Sequence, residues 1–593
     1  MKKISSITLL VTVVAALFLA TGFSASPSRF PIATINNDPP VEGGTLRIGI
    51  PGFGGGFYGQ FNPVFQLNAD DGHVVQLLTP PLLSINAANR FSNNGAAGFE
   101  YDLDAMTFTI KLVEKIFWHD GIPLTLDDLL FAYEVIAHPL YTGALFHSHS
   151  ISSIDGAWDY FLGSASTISG IILSEDKMTM TIYFTEMSPA MLYSGIWTTP
   201  LPRHHFEGIA VEDIYNHPNS RHNMLGYGPF MLDFMIPGEM VSFVRNENFW
   251  LGVPYLERIE MHSIFPEIIP EAMTAGFVDV MLNVPIETLI DMPNPSNFSY
   301  LATFANTLGF THFRHGFGRP VDDVNLRRAM GYAINEARII EQVFPAGNQL
   351  PATSAMTPFQ NGFWRSDMVG FSLFDPVLAN QILDDVGYTK RDEDGFRMAP
   401  DGQILTLTWA VHWNTVNEVI VPLMIEDFAN IGIRVELWQD ELIDFGAFIQ
   451  ILEDNWYDES FDLFDLAFLL SVNPDPSGIW APDAPFNFSR YASPELNEIL
   501  ARLSGSDAFD MDFAVRASFD WQEYFYTNVP AIPRRYALNL TAVNNRVQNF
   551  SLERMDGIHE VSFGASHLWR VTSHEAEWAE PEPVRRRIWR SLF

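Results

Sequence analysis

The stretch from Lys115 to Pro139, KIFWHDGIPLTLDDLLFAYEVIAHP, constrains the fold more than any other part of this sequence. Residues 119–121, His-Asp-Gly, form a turn signal, and Pro123 prevents a strand from continuing beyond it. Thr125 is a favourable helix N-cap, and Asp127–Asp128 place negative charge at the positive end of the helix. Apolar side chains then recur on one helix face, at Leu129, Leu130, Tyr133 and Ile136. The sequence therefore predicts a turn followed by a capped amphipathic helix.

Several segments resemble the signatures of one protein family. Trp118 begins a Trp-x-Asp-Gly-x-Pro segment that is similar to a signature of the family 5 extracellular solute-binding proteins, the oligopeptide, dipeptide and nickel receptors of ABC importers. Further family-like segments are Gly226–Leu232, Arg245–Pro254, Ala275–Asp279, Asn325–Asn335 and Asp375–Tyr388. In the last two, Asn335 can cap the helix that follows it, and Asp375 can cap a helix that starts at Pro376. The resemblance implies an α/β, two-lobed periplasmic-binding-protein fold (type II-like) with an additional small α+β lobe.

At 593 residues the chain is too long for a single hydrophobic core, so we expect two or three lobes. The predicted division is a signal peptide at 1–25, a flexible leader at 26–42, lobe I at 43–75, 220–303 and 535–575, an extra lobe at 76–219, lobe II at 304–534, and a C-terminal tail at 576–593. The chain thus passes twice between lobes I and II. We expect the hinge at these two crossings, at Tyr300–Phe304 and Ala531–Arg534.

The first residues are typical of an export signal. Lys2 and Lys3 form the basic start, residues 7–20 are apolar, and the small residues of 20–25 offer cleavage sites. The sequence has no Cys, which excludes disulfides, thiolate metal sites and a lipid-carrying cysteine. These features predict a periplasmic protein, with release to the medium as the alternative.

The formal net charge of −37 disfavours nucleic-acid partners, because a phosphate backbone would be repelled. An acidic surface favours cationic or zwitterionic solutes only weakly. The basic, aromatic segment Arg585–Phe593 stands out against this charge. It is either a disordered end, a segment folded onto the acidic surface, or a contact for anionic lipid.

A strand, a helix and a second strand are predicted between residues 405 and 437. Leu405, Leu407 and Trp409 alternate in a strand, residues 417–431 are helical, and residues 433–437 alternate again. Such a unit pairs its strands in parallel with a right-handed crossover. Ligands of α/β sheets bind at the carboxyl ends of the strands, which nominates as ligand-binding residues Trp409, His412, Trp413 and Asn414.

The glycine-rich segment Gly52–Gly59 follows the first predicted strand, Gly43–Ile50. Its glycine spacing matches a dinucleotide-binding pattern, but residues 60–63 lead into a loop instead of opening a helix. In the resembled family, the first strand leads into a loop beside the ligand. Three aromatic side chains are therefore candidates for facing the ligand or for packing the loop: Phe53, Phe57 and Tyr58.

The apolar segment Leu463–Val472 predicts a buried strand followed by residues 473–476, Asn-Pro-Asp-Pro. In the resembled peptide receptors this strand ends in Asp-Tyr-x-Asp-Pro, and the first Asp holds the peptide α-ammonium. Val472 occupies that position here, and Asp475 keeps the second. We therefore expect a neutral or apolar-rich solute, either a short peptide that needs no free amine or an oligosaccharide stacking on tryptophans. The candidate contacts are Leu470, Val472, Asn473 and Asp475.

The sequence offers little for catalysis or metal binding. It has neither a Gly-x-Ser-x-Gly elbow nor a His-Glu-x-x-His motif. The enzyme alternative that remains is an exported hydrolase whose catalytic residues are scattered along the sequence. His147-x-His149 and His204–His205 are pairs that can ligate nickel, although spacing places no third ligand. A nickel or metal-chelate receptor is the other alternative.

Together these features predict a receptor and not an enzyme. We expect a monomer without cofactor that captures a small-molecule or peptide ligand between its lobes and leaves it unchanged. The closed form would be recognised by an ABC permease, whose ATPase is a separate protein.

Overall fold

The computed structural model describes residues 38–572, apart from 53–54, 87–88, 114, 144, 149, 194, 286–296, 317, 346, 371–372, 400–401, 455–460, 556–557 and 562. The predicted signal peptide, most of the leader, Phe53, His149 and the C-terminal tail lie outside the described residues. Among the helices that are described, none is long and apolar enough to cross a membrane.

The strands in chain order are β1 (Pro40–Val41), β2 (Thr45–Pro51), β3 (Ser84–Ile85), β4 (Phe91–Ser92), β5 (Ala97–Asp102), β6 (Thr107–Leu112), β7 (Ile171–Leu173), β8 (Thr179–Tyr183), β9 (Phe230–Ile236), β10 (Met240–Arg245), β11 (Arg258–Ile264), β12 (Val280–Met281), β13 (Phe298–Phe313), β14 (Gln349–Pro351), β15 (Thr406–Ala410), β16 (Arg434–Leu437), β17 (Leu463–Leu469), β18 (Ala531–Asn544), β19 (Val547–Gln548), β20 (Ser551–Met555), β21 (Ile558–Val561) and β22 (Arg570–Thr572).

The α-helices in chain order are α1 (Ala69–Leu78), α2 (Leu126–Ile136), α3 (Leu145–Ser148), α4 (Ala157–Phe161), α5 (Val211–Ile214), α6 (Ile269–Thr274), α7 (Val324–Ala333), α8 (Glu336–Val343), α9 (Pro376–Asp385), α10 (Asn417–Asn430), α11 (Phe445–Asp454), α12 (Ser477–Trp480), α13 (Pro494–Ser504) and α14 (Met511–Asn528).

The main sheet has the strand order β16-β15-β17-β13-β18-β12-β2-β11-β10-β9. The long strands β13 and β18 pair antiparallel at its centre. Along this order, β17, β15 and β16 of the predicted lobe II lie beyond β13, and β12, β2, β11, β10 and β9 of lobe I lie beyond β18. Two short strands are exceptions, because β14 of lobe II pairs with β18 and β21 of lobe I pairs with β13. A separate four-stranded sheet, β5-β6-β8-β7, belongs to the segment predicted as the extra lobe.

The strand register shows which sheet edges face each other. β17 pairs antiparallel with β13, and its carboxyl end at Leu469 lies opposite Thr307, near the middle of β13. β15 and β16 run parallel to each other, as the strand-helix-strand pattern predicts, and β15 also runs parallel to β17. In lobe I, β12 is antiparallel to β18, and β2 and β11 run parallel to β12. Both lobes therefore direct the carboxyl ends of their parallel strands toward the middle of the β13–β18 pair.

The predicted hinge segments lie on β13 and β18 but do not face each other. Tyr300–Phe304 is opposite residues 538–542, whereas Ala531 is opposite His312. The pairing is irregular between the Phe304–Leu538 pair and the Phe310–Pro533 pair. The irregular stretch, residues 305–309 and 534–537, lies between the two predicted segments, and we call it the crossing. The local sequence does not reveal this alignment, because strand register is a long-range property.

Helix ends follow the predicted capping residues closely. α2 begins after Thr125, and the Asp128 carboxylate accepts from the Thr125 N–H at 3.0 Å. Asn335 caps α8 by accepting from the Arg338 N–H at 3.0 Å, and Asp375 caps α9, which starts at Pro376.

The two most family-like signatures pack against each other. Trp118 is buried, its indole N–H donates to Asp128 at 3.2 Å, and its ring meets the Tyr227 ring edge-on at 5.3 Å. The His119 N–H donates to the Gly226 carbonyl at 2.8 Å, and a side chain at Gly226 would collide with the Leu78 carbonyl at the end of α1. These contacts form a joint between the extra lobe and lobe I, which we call the signature joint.

Asp279, the last residue of another family-like segment, also has a structural role. Its carboxylate accepts from the buried Arg546 at 2.8 Å and from the Arg47 N–H at 2.9 Å. This buried ion pair ties the start of β2 to the chain after β18. Ordered structure begins ahead of residue 43, because β1 pairs with β22 through Val41 and Val571.

Candidate functional site

The candidate site is the cleft at the crossing, where the carboxyl strand ends of both lobes converge. Loops that leave these ends provide its walls, and the middle of β13 and β18 provides its base. Open α/β sheets bind ligands in this position because the loops there can approach a guest without disturbing the sheet.

The lobe I wall is the loop after β2, held against the hairpin between β9 and β10. The Gly52 N–H donates to the Ile264 carbonyl at 2.8 Å, and the Gly238 N–H donates to the Phe57 carbonyl at 3.0 Å. Gly56 has φ +72°, and a side chain there would collide with the Gly238 carbonyl. The loop therefore lies directly on the hairpin tip.

Helix α1 fixes the far end of the same loop. The Asp71 carboxylate accepts from the Gly59 N–H at 3.1 Å and from the Gln60 N–H at 2.9 Å. Burial raises the pKa of Asp71, and these backbone donors oppose the shift. Of the aromatic candidates here, Phe57 is buried and packs the loop, whereas Tyr58 is 60% exposed.

The lobe II wall begins after β15, where two neighbouring tryptophans have opposite environments. Trp409 is fully buried and donates to Asp465 at 3.1 Å, so it has no surface on which a solute could stack in this structure. Trp413 is 54% exposed, and its indole N–H donates to Glu418 at 2.9 Å. The strand alternation places Trp409 in the lobe II core, while Trp413 follows the strand end.

His412 and Asn414 lie beside Trp413. The two side chains hydrogen-bond at 3.0 Å, and the His412 ring packs between Phe445 at 5.2 Å and Phe448 at 5.5 Å. Burial lowers the pKa of His412, and the charge of Asp465 opposes this shift.

The end of β17 departs from the prediction of a buried strand through Val472. The strand ends at Leu469, whose side chain is 76% exposed. The next residue, Leu470, donates its N–H to the Asn306 carbonyl on β13 at 2.7 Å. Leu470 and Val472 are partly buried against the apolar core. The strand is shorter than predicted because its partner β13 reaches the irregular stretch of pairing at this point.

The carboxylate of Asp475 binds the backbone of its own loop. It accepts from the Ser477 N–H at 2.9 Å at the start of α12, and burial raises its pKa. Asn473 accepts through its backbone carbonyl from the Gln360 side chain at 3.4 Å. Gln360 also donates to the Ser471 carbonyl at 3.0 Å, so this loop is tied to the segment 352–365.

The segment 352–365 is anchored at the crossing. The buried Tyr536 hydroxyl accepts from the backbone N–H groups of Thr353 and Ser354, both at 3.0 Å, and from the Trp364 indole at 3.2 Å. Tyr536 lies on β18 opposite Leu308, inside the irregular stretch of pairing. One side chain at the crossing therefore positions the segment that holds the cleft loop.

The extra lobe also contacts lobe II directly. The Asn89 side chain donates to the Phe359 carbonyl and the Arg90 guanidinium donates to the Phe509 carbonyl, both at 2.9 Å. The rings of Tyr101 and Phe509 lie 5.1 Å apart. We call this set of contacts the lateral contact, because it joins the lobes beside the crossing strands.

Exposed apolar side chains accumulate near the strand ends of both lobes. They are Tyr58, Phe234, Ile236 and Phe265 in lobe I, and Trp413, Phe445, Leu469 and Phe486 in lobe II, each between 38% and 76% exposed. Sequence reasoning nominated Tyr58 and Trp413 but did not identify Phe234, Ile236, Phe265, Phe445 and Phe486. The position of Phe265 directly after β11 is the kind of signal that could have found it.

Comparison with known proteins identifies the family. The family model for bacterial extracellular solute-binding proteins, family 5 middle, matches residues 91–489, which is more than half of the chain. The chain belongs to this family. Among the curated relatives of this family 5 protein, the oligopeptide-binding protein OppA of Lactococcus lactis subsp. lactis (strain IL1403) is 27% identical over 506 residues, which cover 82% of each chain.

Solved structures share the fold of this family 5 protein. Lactococcal OppA, complexed with an endogenous peptide in the closed conformation, is 25% identical and has a TM-score of 0.62, with 87% of this chain and 99% of that chain covered. The periplasmic murein tripeptide-binding protein MppA, in its unliganded open form, has a TM-score of 0.73 at 16% identity, with 92% and 100% covered. The predicted two-lobed, type II-like α/β fold is confirmed.

The neighbouring histidines His204 and His205 of this family 5 protein have different hydrogen-bond partners. His204 contacts Asp120 at 2.9 Å, and His205 contacts the Asn223 carbonyl at 2.9 Å. Among the described residues, there is no group of three or more His, Cys, Asp or Glu side chains arranged to hold a metal. The relatives named above are binding proteins.

Proposed function

We propose that this family 5 protein is the extracytoplasmic receptor of an ABC importer and captures a peptide or similar organic solute in the cleft between lobes I and II. A cleavable signal peptide at residues 1–25 exports the chain, and the mature protein is a monomer that needs no cofactor. Lobe closure buries the solute and creates the shape that the permease recognises. The receptor makes no change to the solute.

The observation that supports this proposal best is the convergence of both carboxyl edges, with exposed apolar side chains on each. Burial of apolar surface contributes about 25 cal/mol per Å² removed from water, so closure of the lobes around an apolar guest is favourable. The names of the relatives, oligopeptide-binding and murein tripeptide-binding proteins, point to peptides as the solute class.

The solute preference follows from the residues near the end of β17. Val472 supplies no charge, and Asp475 is engaged with Ser477, so neither carries a free carboxylate for an α-ammonium. We therefore expect the receptor to accept peptides whose amino group is blocked. The remaining candidate contacts in the cleft, Tyr58, Trp413 and Asn473, supply aromatic faces and polar groups.

Isothermal titration calorimetry with matched hexapeptides of Leu, Phe, Gly and Ala tests the proposal. The N-acetylated and free-amine forms should bind the wild-type protein with similar affinity. Val472→Asp should shift preference toward the free amine by about tenfold, the scale of one charge-assisted hydrogen bond. Val472→Asn is the uncharged control. If neither peptide binds, the receptor does not take peptides; if Val472→Asp leaves the preference unchanged, residue 472 is not the anchor position.

A further inference from the structure

The protonation of His412 can be derived from a short chain of hydrogen bonds. The Asn417 backbone N–H can act only as a donor, and it donates to Asn414 Oδ1 at 2.7 Å. This bond fixes the amide orientation, so Asn414 Nδ2 is the atom that faces His412 Nε2 at 3.0 Å. Because an amide NH₂ is a donor, His412 Nε2 must accept, and the ring proton of the neutral imidazole resides on Nδ1.

That proton has no acceptor among the described residues. His412 Nδ1 is buried and makes no hydrogen bond there. A buried donor without a partner is destabilising, so a guest that supplies an acceptor recovers part of the lost free energy. The lowered pKa of His412 is consistent with a neutral ring, because burial disfavours the imidazolium.

The position of His412 links this donor to the cleft. It lies two residues beyond the carboxyl end of β15, next to the exposed Trp413. The Asn417 side chain donates to the His412 carbonyl at 2.9 Å, so the backbone of this turn is fixed at the start of α10. The neighbouring Phe445 is 52% exposed and begins α11, so one of the two rings that pack on the imidazole lies at the protein surface.

We propose that His412 is a specificity-determining residue, whose Nδ1–H donates to a carbonyl or carboxylate oxygen of the solute while Trp413 and Phe445 contact an adjacent apolar group. This inference rests on the proposed function and narrows it. The receptor selects solutes by an acceptor oxygen beside an apolar group, and at this position it rejects an ammonium, which offers only donors.

Two substitutions of His412 test the contributions of the two ring nitrogens to binding separately. An asparagine amide reaches the position of Nδ1, whereas a glutamine amide reaches that of Nε2. With the N-acetylated hexapeptide as the probe, calorimetry of His412→Gln should show affinity weakened about tenfold, since the donor at Nδ1 is lost. His412→Asn should stay within about threefold of wild type on the same argument. His138→Gln, in the extra lobe, is the matched control and should bind as wild type.

Nitrogen NMR of the histidine side chains provides a readout that needs no solute. At pH 7 the His412 ring should show the Nδ1–H tautomer, and its Nδ1 proton should move downfield when the peptide is added. An Nε2–H tautomer, or equal binding by wild type and His412→Gln, overturns this inference and leaves the peptide receptor intact. Absence of peptide binding by wild type overturns the proposed function and this inference together.

Discussion

At the scale of single residues, Gly56 shows that the cleft loop depends on the absence of a side chain. Gly56→Ala should destabilise the protein by more than the about 1–3 kcal/mol of a strained positive φ, because the new methyl group would also collide with the Gly238 carbonyl. It should weaken peptide binding as well, since the loop carrying Tyr58 must move. Urea unfolding and calorimetry measure the two effects.

Gly121 provides the matched control for that substitution. Its φ is +87°, yet no atom lies within 4 Å of the position that a side chain would take. Gly121→Ala should therefore cost only the backbone strain and leave peptide binding unchanged. Equal losses of stability in the two variants would show that the loop does not rest on the hairpin tip.

His312 is buried in an aromatic cluster, stacked on Phe464 at 4.6 Å and on Trp480 at 5.7 Å. Neither ring nitrogen has a hydrogen-bond partner among the described residues. His312→Phe keeps the ring and removes both unpaired polar atoms, so it should raise the free energy of unfolding at pH 7 by about 1–3 kcal/mol. His222→Phe, at an exposed histidine, should change it by less than about 0.5 kcal/mol.

The same residue predicts a pH dependence. Burial lowers the pKa of His312 to about 3, below the usual 6.5. Between these values the unfolded chain binds a proton that the folded chain does not, so stability is lost as the pH falls from 6.5 toward 3. The stability of His312→Phe should fall less steeply across this range. Urea midpoints at a series of pH values measure the slope, and parallel curves for the two proteins would contradict the assignment.

At the scale of elements, the signature joint connects α1, the turn before α2 and the start of β9. Trp118→Ala should destabilise the protein by about 3–5 kcal/mol, because it opens a cavity and removes a hydrogen bond to Asp128. Since the joint couples the extra lobe to lobe I, scanning calorimetry should show the extra lobe unfolding in a separate, earlier transition. Phe117→Ala changes a neighbouring side chain that is 39% exposed and should preserve a single transition.

Elements set by local chemistry were predictable from the sequence. The caps at Thr125, Asn335 and Asp375 and the β15-α10-β16 unit needed only nearby residues, and all were confirmed. The end of β17 and the alignment of β13 with β18 were not predictable in this way. They depend on pairing between residues more than 150 positions apart, about which a local pattern carries no information.

The candidate site shows the same division. The rule for parallel sheets led to residues at the end of β15, and Trp413, His412 and Asn414 lie there. Alternation alone could not say that Trp409 points into the lobe II core, because a period of two defines two faces without identifying the buried one. Phe234 in the β9–β10 hairpin and Phe445 in α11 belong to no recognisable sequence motif. Their exposure depends on tertiary packing, which the local sequence does not show.

At the scale of the whole molecule, the lateral contact should influence the distance between the extra lobe and lobe II. Arg90→Ala removes the hydrogen bond to the Phe509 carbonyl. It should raise the ratio of molecules in which the extra lobe has separated from lobe II to molecules in which the two are in contact, by about three- to tenfold. The absence of native Cys allows clean spin labelling at the exposed positions Glu175→Cys and Glu498→Cys. Double electron–electron resonance then measures the distance distribution directly.

Lys111→Ala, at an exposed position of the extra lobe, is the control for that experiment and should leave the distances unchanged. Added peptide should shorten the distances in both the wild type and Arg90→Ala, since the crossing strands are intact in each. Identical distributions for Arg90→Ala and the wild type would show that the lateral contact contributes nothing to the lobe arrangement.

The short pairing of β1 with β22 has a practical consequence, because it brings Pro40 opposite Thr572 on lobe I. A linker of a few residues could join these positions, and new chain termini could be opened after the exposed Gly402 in lobe II. Such a circular permutant leaves β13 and β18 uncut. A fluorescent protein fused at the new termini would be attached to lobe II and would move with it when the lobes close. This architecture is therefore suited to an optical biosensor.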